Sequence, residues 1–384
     1  MKKVLFVTTI SGFLPQFEQN DVKILKQEGC EIHYASNFRN PVYSFCEEEL
    51  VAQGIVLHHV DIEKSPVKIR ANSKAIRQLK QLIDEEQIDI VHCHNPVGAV
   101  AARIAAHYSE KKPYVIYTAH GFHFYKGAPL INWLLFYPVE RMLAHWTDLL
   151  VTINREDYER AGKFHLKPNG CVFQIHSVGV NPRRFAPNPR LRDAKRRQLN
   201  VPEEAFHIVS AAQLNKNKNQ RVIVEAISRI SDRDIYYTIC GEGPQEEALK
   251  TLIAEKGLSD RVRLLGFRTD MEEILQTADC FAFPSYREGL GIAAVEALLC
   301  GVPLVAADNR GTREYARDGI NGIVCEAKSP ASFEAAIRML HDNREKHGRL
   351  QSNCVASAEE FTIEQVEQVM RAVYRKALTE TEKR

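Results

Sequence analysis

Two glutamates, Glu288 and Glu296, have seven residues between them in the segment 284–311. Glu296 falls on the apolar stripe of the helix that this segment predicts, and a carboxylate on such a stripe is costly unless something pairs with it. An ionised carboxylate accepts hydrogen bonds, and two neighbouring hydroxyl groups of a polyol can both donate to it. The pattern therefore suggests a sugar-binding role, although a single glutamate in a helix more often pairs with a structural arginine or lysine.

Glycines set the limits of this helix. Gly289 and Gly291 flank Leu290 where the helix must begin, so its first backbone N–H groups form a natural seat for a phosphate. Gly301 ends the helix, and Pro303 prevents its continuation into the strand VPLVAAD. With the apolar run CFAFPS in front, the segment predicts strand, turn, helix and strand, with an anion site at the turn.

Other polar residues follow predicted strands. His120 ends the strand YVIYTAH, where an imidazole can exchange hydrogen bonds with a sugar hydroxyl, although most strand-end histidines have no such role. Lys218 lies in the string NKNKNQ before a helix, where a cation can neutralise a diphosphate leaving group; the plain alternative is a solvated turn. Gly241 and Gly243 form the turn GEGP after IYYTIC, which is consistent with close approach of a nucleotide.

The alternation of elements predicts an α/β fold. Short apolar runs alternate with helical patterns from VLFVTT to CVFQIH, and again from FHIVSAAQL to GIVCE. This predicts two doubly wound parallel sheets with helices on both faces, and ligands off the carboxyl ends of the strands, in a cleft between the sheets. The proline- and arginine-rich string GVNPRRFAPNPRLRD interrupts the pattern. We therefore predict two Rossmann-like domains, 1–185 and 186–361.

The string EGLGIAAVE, followed by ALLCGVPLVA, resembles the signature of the fourth family of retaining glycosyltransferases, which have the two-domain GT-B fold. The resemblance implies that Glu296 holds the ribose of a sugar nucleotide, that Glu288 lies beside the donor sugar, and that the amides around Leu290 and Gly291 receive the diphosphate. It also implies that the last helix, within 362–384, returns to the first domain. The strings YTAHGFHFYKGAP and LNKNKN are similar to the branch that builds capsular and extracellular polysaccharide, of the EpsD and CapM type.

The resemblance assigns further residues to the donor site. It implies that His120, in a His-Gly pair, contacts the donor sugar, and that the base is seated against backbone at Phe267 and Arg268. Gly12 follows the first strand where the family has a glycine pair, so phosphate contact from this loop stays open.

One position departs from the family pattern. Gln213 stands where the family has an arginine, while Lys218 matches the family's lysine. The replacement removes one fixed positive charge from the leaving-group site, which Lys216 or an arginine elsewhere could supply. The donor type or the catalytic rate is thereby put in question.

No bound metal is predicted. The string Asp232-Arg233-Asp234 fits the D-x-D pattern of metal-bound diphosphate sites but precedes its strand, so we interpret it as a solvated turn. In the run HCH at 92–94, alternate strand residues face opposite ways, whereas a zinc site needs convergent ligands. Packing and a polar strand end explain this run without an ion.

Composition narrows the class of protein. The chain has 384 residues, a net charge of +2 and 26% charged residues, which does not favour binding to nucleic acid. Nine cysteines without a C-x-x-C pair, mostly in apolar runs, indicate buried thiols in a reducing compartment. The start, MKKVLFVTTISGF, is interpreted as a strand instead of a signal peptide, and no run is long enough to span a bilayer. We expect a cytoplasmic location.

Two segments of the first domain suggest contact with an anionic membrane. Residues 64–83 predict an amphipathic helix with Arg70, Lys74 and Arg77 on one face, which is either a plain surface helix or a peripheral contact with the inner face of the cell membrane. The aromatic run 130–137 fits membrane anchorage and core packing equally well.

The resemblance leads to one functional prediction. A hexose or N-acetylhexosamine moves from a UDP-sugar to a lipid-linked or growing glycan acceptor with retained configuration, and no cofactor other than the donor is needed. Lys218 assists departure of the diphosphate, while His120 and Glu288 position the sugar. The alternatives are a non-catalytic nucleotide-binding scaffold and a UDP-sugar epimerase; a nicotinamide enzyme is disfavoured because no G-x-G-x-x-G follows the first strand.

Overall fold

The computed structural model describes residues 1–39 and 45–383. The chain forms two compact units, Met1–Val178 with Glu364–Arg384, and Gly179–Ile363. The domain boundaries predicted from the sequence lie between residues 185 and 186 and between residues 361 and 362. In the described part of the chain, no helix is long and apolar enough to cross a membrane.

The first unit is built on a seven-stranded parallel sheet in the order β3-β2-β1-β4-β5-β6-β7. Its strands are β1 (Lys3–Val7), β2 (Glu31–Ser36), β3 (Ile55–His59), β4 (Ile90–His94), β5 (Tyr114–Ala119), β6 (Leu149–Thr152) and β7 (Cys171–Gln174). The helices between them are α1 (Phe13–Phe17), α2 (Gln19–Gln27), α3 (Glu47–Ala52), α4 (Ile69–Glu85), α5 (Pro96–Tyr108), α6 (Leu130–Ala144) and α7 (Arg155–Ala161). Strands β4 and β5 are buried along their whole length, as expected of a parallel sheet covered on both faces.

The second unit is built on a six-stranded parallel sheet in the order β10-β9-β8-β11-β12-β13. Its strands are β8 (Phe206–Ala211), β9 (Ile235–Cys240), β10 (Val262–Leu264), β11 (Cys280–Phe283), β12 (Leu304–Ala307) and β13 (Gly322–Cys325). Its helices are α8 (Arg192–Gln198), α9 (Gln220–Ile227), α10 (Glu246–Glu255), α11 (Met271–Gln276), α12 (Ile292–Leu299), α13 (Pro330–Asp342) and α14 (Arg344–Ala358), with short 3-10 turns at Pro189–Leu191, Thr312–Glu314 and Glu359–Phe361. The predicted class, α/β with two doubly wound parallel sheets, is confirmed.

The last helix, α15 (Ile363–Glu382), packs against the sheet of the first unit. Its Tyr374 is fully buried and exchanges a hydrogen bond with His92 of β4 at 2.8 Å. Val373 and Ala377 join the same apolar core as Val4 of β1.

Both sheets reverse their strand order at one point. In the first unit the chain moves to opposite sides of β1, so the loops after β1 and β4 lie side by side; in the second unit the same holds for β8 and β11. Ligands of open parallel sheets bind at such switch points, beyond the carboxyl ends of the strands. These two loop pairs are therefore where the functional residues should be sought.

Candidate active site

Lys218 and Glu288 meet at the switch point of the second unit. Lys218 Nζ donates a hydrogen bond to Glu288 Oε1 at 2.6 Å, and the ammonium lies 5.6 Å from the ring centre of Phe283. Both side chains are largely shielded, with exposed fractions of 22% for Lys218 and 11% for Glu288. A cation and an anion are thus held together at the edge where an anionic ligand would bind.

Asparagines hold the loop that carries Lys218. Asn217 Nδ2 donates to Arg287 O at 2.9 Å, and Asn219 Nδ2 donates to Pro284 O and Ala327 O. Asn219 has a φ of +55°, a conformation that asparagine tolerates better than most residues. The string NKNKN is therefore a fixed loop instead of a solvated turn, and its local sequence pattern does not reveal that its asparagines hold it in place.

The glycine turn before α12 is dictated by packing. Gly291 has a φ of +101°, and a Cβ there would lie 2.7 Å from both the Phe283 ring and the Tyr315 hydroxyl. Leu290 is buried, and Gly289 completes the turn. The close packing fixes the turn that precedes α12. The first backbone N–H groups of α12 therefore lie at the N-terminus of the helix, where anions bind favourably.

A third loop closes over Glu288. A Cβ on Gly311 would lie 2.7 Å from Glu288 Cβ, so only glycine lets the loop after β12 approach this closely. Asn309 Nδ2 donates to Ser285 O at 2.9 Å and ties the same loop to the one after β11. Glu288 is therefore positioned from both sides of the switch point.

The Glu296 carboxylate lies in surroundings that disfavour its charged form. Burial raises its pKa to about 7, and the positive charge of Arg184 opposes this shift. Arg184 itself pairs with Glu272 at 2.8 Å. Within residues 1–39 and 45–383, the Glu296 carboxylate has no hydrogen bond and no ion pair. The alternative that Glu296 pairs with a structural arginine or lysine is therefore not supported by the described residues.

Gly241 and Gly243 allow the backbone of a neighbouring loop to approach closely. A Cβ at Gly241 would lie 2.0 Å from Ala212 O, and one at Gly243 would lie 2.4 Å from Leu214 O. These carbonyls flank Gln213, whose exposed side chain accepts a hydrogen bond from Asn215 Nδ2 at 3.0 Å. The two glycines thus set the path of the loop that carries Gln213, whatever else they contact.

Phe267 and Arg268 follow β10. Phe267 is 71% exposed, and its backbone N–H donates to Glu242 Oε1 at 3.4 Å. Arg268 forms a two-pronged pair with Asp270, at 2.8 and 2.6 Å, which helps to hold the pKa of that carboxyl well below its usual range. The guanidinium is therefore occupied, and the assignment of Phe267 and Arg268 to the donor site stays a prediction.

In the first unit, His120 and Gly12 lie at the ends of β5 and β1. Gly12 immediately precedes α1, whose Phe13 ring lies 4.9 Å from the His120 ring. His120 Nε2 lies 3.1 Å from His94 Nδ1, and burial lowers the pKa of His120 to about 4. His120 is thus neutral at physiological pH and can exchange hydrogen bonds, but it is not a charged acid.

The structure also shows the surroundings of the two strings that could suggest a metal site, Asp232-Arg233-Asp234 and the HCH run. Asp234 accepts from His341 of α13 at 3.0 Å, at the amino end of β9 and away from the switch point. Cys93 bonds to Ile116 O, while His94 turns toward Glu18 and His120. The HCH run therefore contributes one side chain to a cluster with residues from other segments, which its local pattern did not reveal.

Comparisons with known proteins agree on a family. Residues 192–355 match the model of the glycosyl transferases group 1, and residues 3–154 match the glycosyl transferase 4-like model. The protein EpsD of Bacillus subtilis (strain 168) is 40% identical over 348 residues, which cover 90% of this chain and 88% of the relative. The UDP-Gal:alpha-D-GlcNAc-diphosphoundecaprenol alpha-1,3-galactosyltransferase of Escherichia coli is 28% identical over 283 residues, which cover 72% of this chain and 73% of the relative.

Solved structures share the fold. Anabaena Alr3699/HepE in complex with UDP and glucose superposes with a TM-score of 0.77 at 20% identity, covering 98% of this chain and 100% of the other. WaaG, a glycosyltransferase involved in lipopolysaccharide biosynthesis, superposes with a TM-score of 0.73 at 14% identity, covering 97% and 99%. At these identities the likeness concerns the fold alone.

Proposed function

This chain belongs to the EpsD-like, family 4 glycosyltransferases with the GT-B fold, and from that premise we propose that it moves a hexose or N-acetylhexosamine from a UDP-sugar to a lipid-linked or growing glycan acceptor. We further propose that the transfer retains the anomeric configuration and serves synthesis of extracellular or capsular polysaccharide. Two comparisons support the donor and acceptor classes. The Escherichia coli relative is named for UDP-galactose and a diphosphoundecaprenol acceptor, and HepE was solved with UDP and glucose.

The observation that carries the proposal is the shielded Lys218–Glu288 pair beside the amide end of α12. A diphosphate bound there would receive hydrogen bonds from the Lys218 ammonium and from backbone N–H groups, which stabilise the charge that develops as the sugar leaves. Glu288, freed from Lys218, would accept hydrogen bonds from sugar hydroxyls. Glu296, whose carboxylate lacks a partner in the described residues, would take the two ribose hydroxyls.

Sugar transfer then needs no carboxylate nucleophile. The bond between the anomeric carbon and the diphosphate oxygen breaks, and the acceptor oxygen bonds to the same face of that carbon. The acceptor proton passes to the departing diphosphate. His120, neutral near pH 7, is proposed to contact the donor sugar and hold its orientation.

The function is tested by following labelled sugar. The full chain is incubated with a panel of isotope-labelled UDP-sugars and membrane extract from a polysaccharide-making cell. We expect label from one donor to enter the lipid-linked fraction. Conversion of a UDP-sugar without any acceptor would instead identify an epimerase, and donor binding without turnover would identify a scaffold.

The first unit also carries an exposed apolar face on α6. Leu130 and Leu134 are 80% and 70% exposed, and Ile131 and Leu135 lie beside them, while Trp133 packs toward the core. The aromatic run 130–137 is thus divided between core and surface. Such a face favours peripheral membrane contact, and a lipid-linked acceptor would make that contact useful.

Helix α4 covers the same side of the sheet as α6, since both contribute to one apolar core. Its Arg70, Lys74 and Arg77 are exposed, which fits both a plain surface helix and attraction to anionic lipid, and Lys74 also pairs with Asp61 at 2.7 Å. Ile69, the first residue of the helix, is 71% exposed and lies outside the core.

We expect the chain to float with vesicles of phosphatidylglycerol and phosphatidylcholine. Replacing Leu134 and Leu135 together by glutamate should weaken this binding by at least about tenfold, because each buried leucine is worth roughly 1.5–3 kcal/mol. The control is Val355→Glu, which adds a charge at an exposed apolar position of α14 in the second unit. Equal flotation of the double variant and the wild type would exclude α6 as the contact.

A further inference from the structure

Three side chains from separate segments of the first unit converge on one point. Glu18 lies between α1 and α2, His94 ends β4, and His120 follows β5. Glu18 Oε1 lies 3.4 Å from His94 Nδ1 and 3.6 Å from His120 Nε2, and the two nitrogens are 3.1 Å apart. The three atoms therefore form a nearly equilateral triangle.

This triangle has the dimensions of one face of a tetrahedral zinc site. Zinc binds imidazole nitrogen and carboxylate oxygen at about 2.0–2.2 Å, so two ligands of a tetrahedral ion lie roughly 3.3–3.6 Å apart. We propose that Glu18, His94 and His120 bind one divalent cation of the zinc type through Oε1, Nδ1 and Nε2, with the fourth position left for water. This departs from the sequence prediction of no bound metal.

The hydrogen-bonding pattern supports an ion over a purely hydrogen-bonded cluster. Glu18 is only 5% exposed, and its Oε1 has no hydrogen-bond partner in the part of the chain that the structure describes. A hydrogen bond between His94 Nδ1 and His120 Nε2 gives each of these two atoms a partner. It leaves Glu18 Oε1 without one. A cation would satisfy all three, and an unpaired buried oxygen is otherwise costly.

The surroundings define which residues can take part. His92 lies next to His94, with ring centres 4.2 Å apart, but its two nitrogens are engaged by Tyr374 and Thr118, each at 2.8 Å. A narrow cavity is lined by residues that include Glu18, Thr118 and His120. The cavity thus borders two of the three proposed ligands.

The proposal concerns the first unit and does not depend on sugar transfer. Bound through Nε2, an ion would keep the proton of His120 on Nδ1 and fix the orientation of the ring. His120 would then be a hydrogen-bond donor of defined direction. Its test therefore uses binding and spectroscopy as readouts, and failure of the transfer assay would leave these results unaffected.

The test is titration of the chelator-treated full chain with Co²⁺ and Zn²⁺. We expect one equivalent of Co²⁺ to give the intense visible absorption of four-coordinate cobalt, and Zn²⁺ to displace it. Glu18→Gln, which keeps the size of the side chain but is a poor metal ligand, should weaken binding by at least about tenfold, because even the loss of an outer hydrogen-bond partner costs 10–100-fold. His94→Ala should abolish the absorption.

His145→Ala is the matched control, because it removes an exposed histidine of the same unit and leaves the cluster intact. If His94→Ala does not fold, the Glu18→Gln titration decides alone. Absence of binding by the wild type, or equal binding by the wild type and Glu18→Gln, would overturn the proposal in favour of a metal-free hydrogen-bonded cluster.

Discussion

Replacing Lys218 by alanine is expected to lower the rate constant of sugar transfer by about 10²–10³-fold, the usual cost of removing one group that stabilises developing negative charge. The ammonium is held by a fixed loop at 2.6 Å from Glu288, beside the amide end of α12. Because Gln213 stands where the family has an arginine, we expect Lys218 to supply a larger share of the positive charge at this site. Initial rates at saturating donor measure the effect.

Two further variants separate the chemical from the structural part of this loss. Lys218→Ala leaves Glu288 shielded without its cation, which by itself destabilises the loop. The double variant Lys218→Ala/Glu288→Gln should therefore regain thermal stability while its rate stays low. Lys256→Ala, at an exposed position after α10, should match the wild type. A Lys218→Ala rate within about threefold of the wild type would remove Lys218 from the leaving-group site.

Glu296→Gln should have two effects of opposite sign. Binding of UDP should weaken by about 10–100-fold, since hydrogen bonds to a charged acceptor contribute roughly 1.5–3 kcal/mol. The free protein should become more stable at pH 8, because the variant removes a poorly solvated carboxylate. Calorimetric titration with UDP and a thermal melt without UDP measure the two effects, with Glu255→Gln on the exposed side of α10 as the control.

The pH dependence follows from the pKa of about 7. This pKa is raised above its unfolded value, so the stabilising contribution of Glu296 is present below about pH 4.5 and is lost as the pH rises through 7. The wild type should therefore lose stability relative to Glu296→Gln between pH 5 and pH 8. Over the same interval its UDP affinity should rise, because the ribose hydroxyls donate to the ionised form. A pH-independent difference between the two proteins would contradict the assigned role.

The order of elements could be predicted from the sequence, because buried parallel strands read as short apolar runs. Neither the contact of Lys218 with Glu288 nor the strand order behind it could be predicted in this way. The two residues meet because β8 pairs with β11, a neighbour that is not consecutive in the chain. The resemblance to the family assigns both residues to the donor site. It does not predict their contact, which depends on the order of the strands in the sheet.

The cluster in the first unit shows a second limit. Successive strand residues face opposite ways, as Cys93 and His94 do, so the local pattern of the HCH run did not suggest a convergent cluster. The side chains that face His94 come from a loop after β5 and from Glu18 between two short helices, so no local spacing reveals them. Likewise, Gly241 and Gly243 look like nucleotide contacts in the sequence, whereas the fold already requires glycine there for backbone packing.

We propose that the donor diphosphate binds between Lys218 and the amide end of α12. The most direct measurement is a crystal structure of the full chain with UDP. We predict diphosphate oxygens within about 3 Å of Lys218 Nζ and of the amides at Gly291 and Ile292, with the ribose hydroxyls on Glu296. UDP bound elsewhere, with Lys218 still joined to Glu288, would contradict the account.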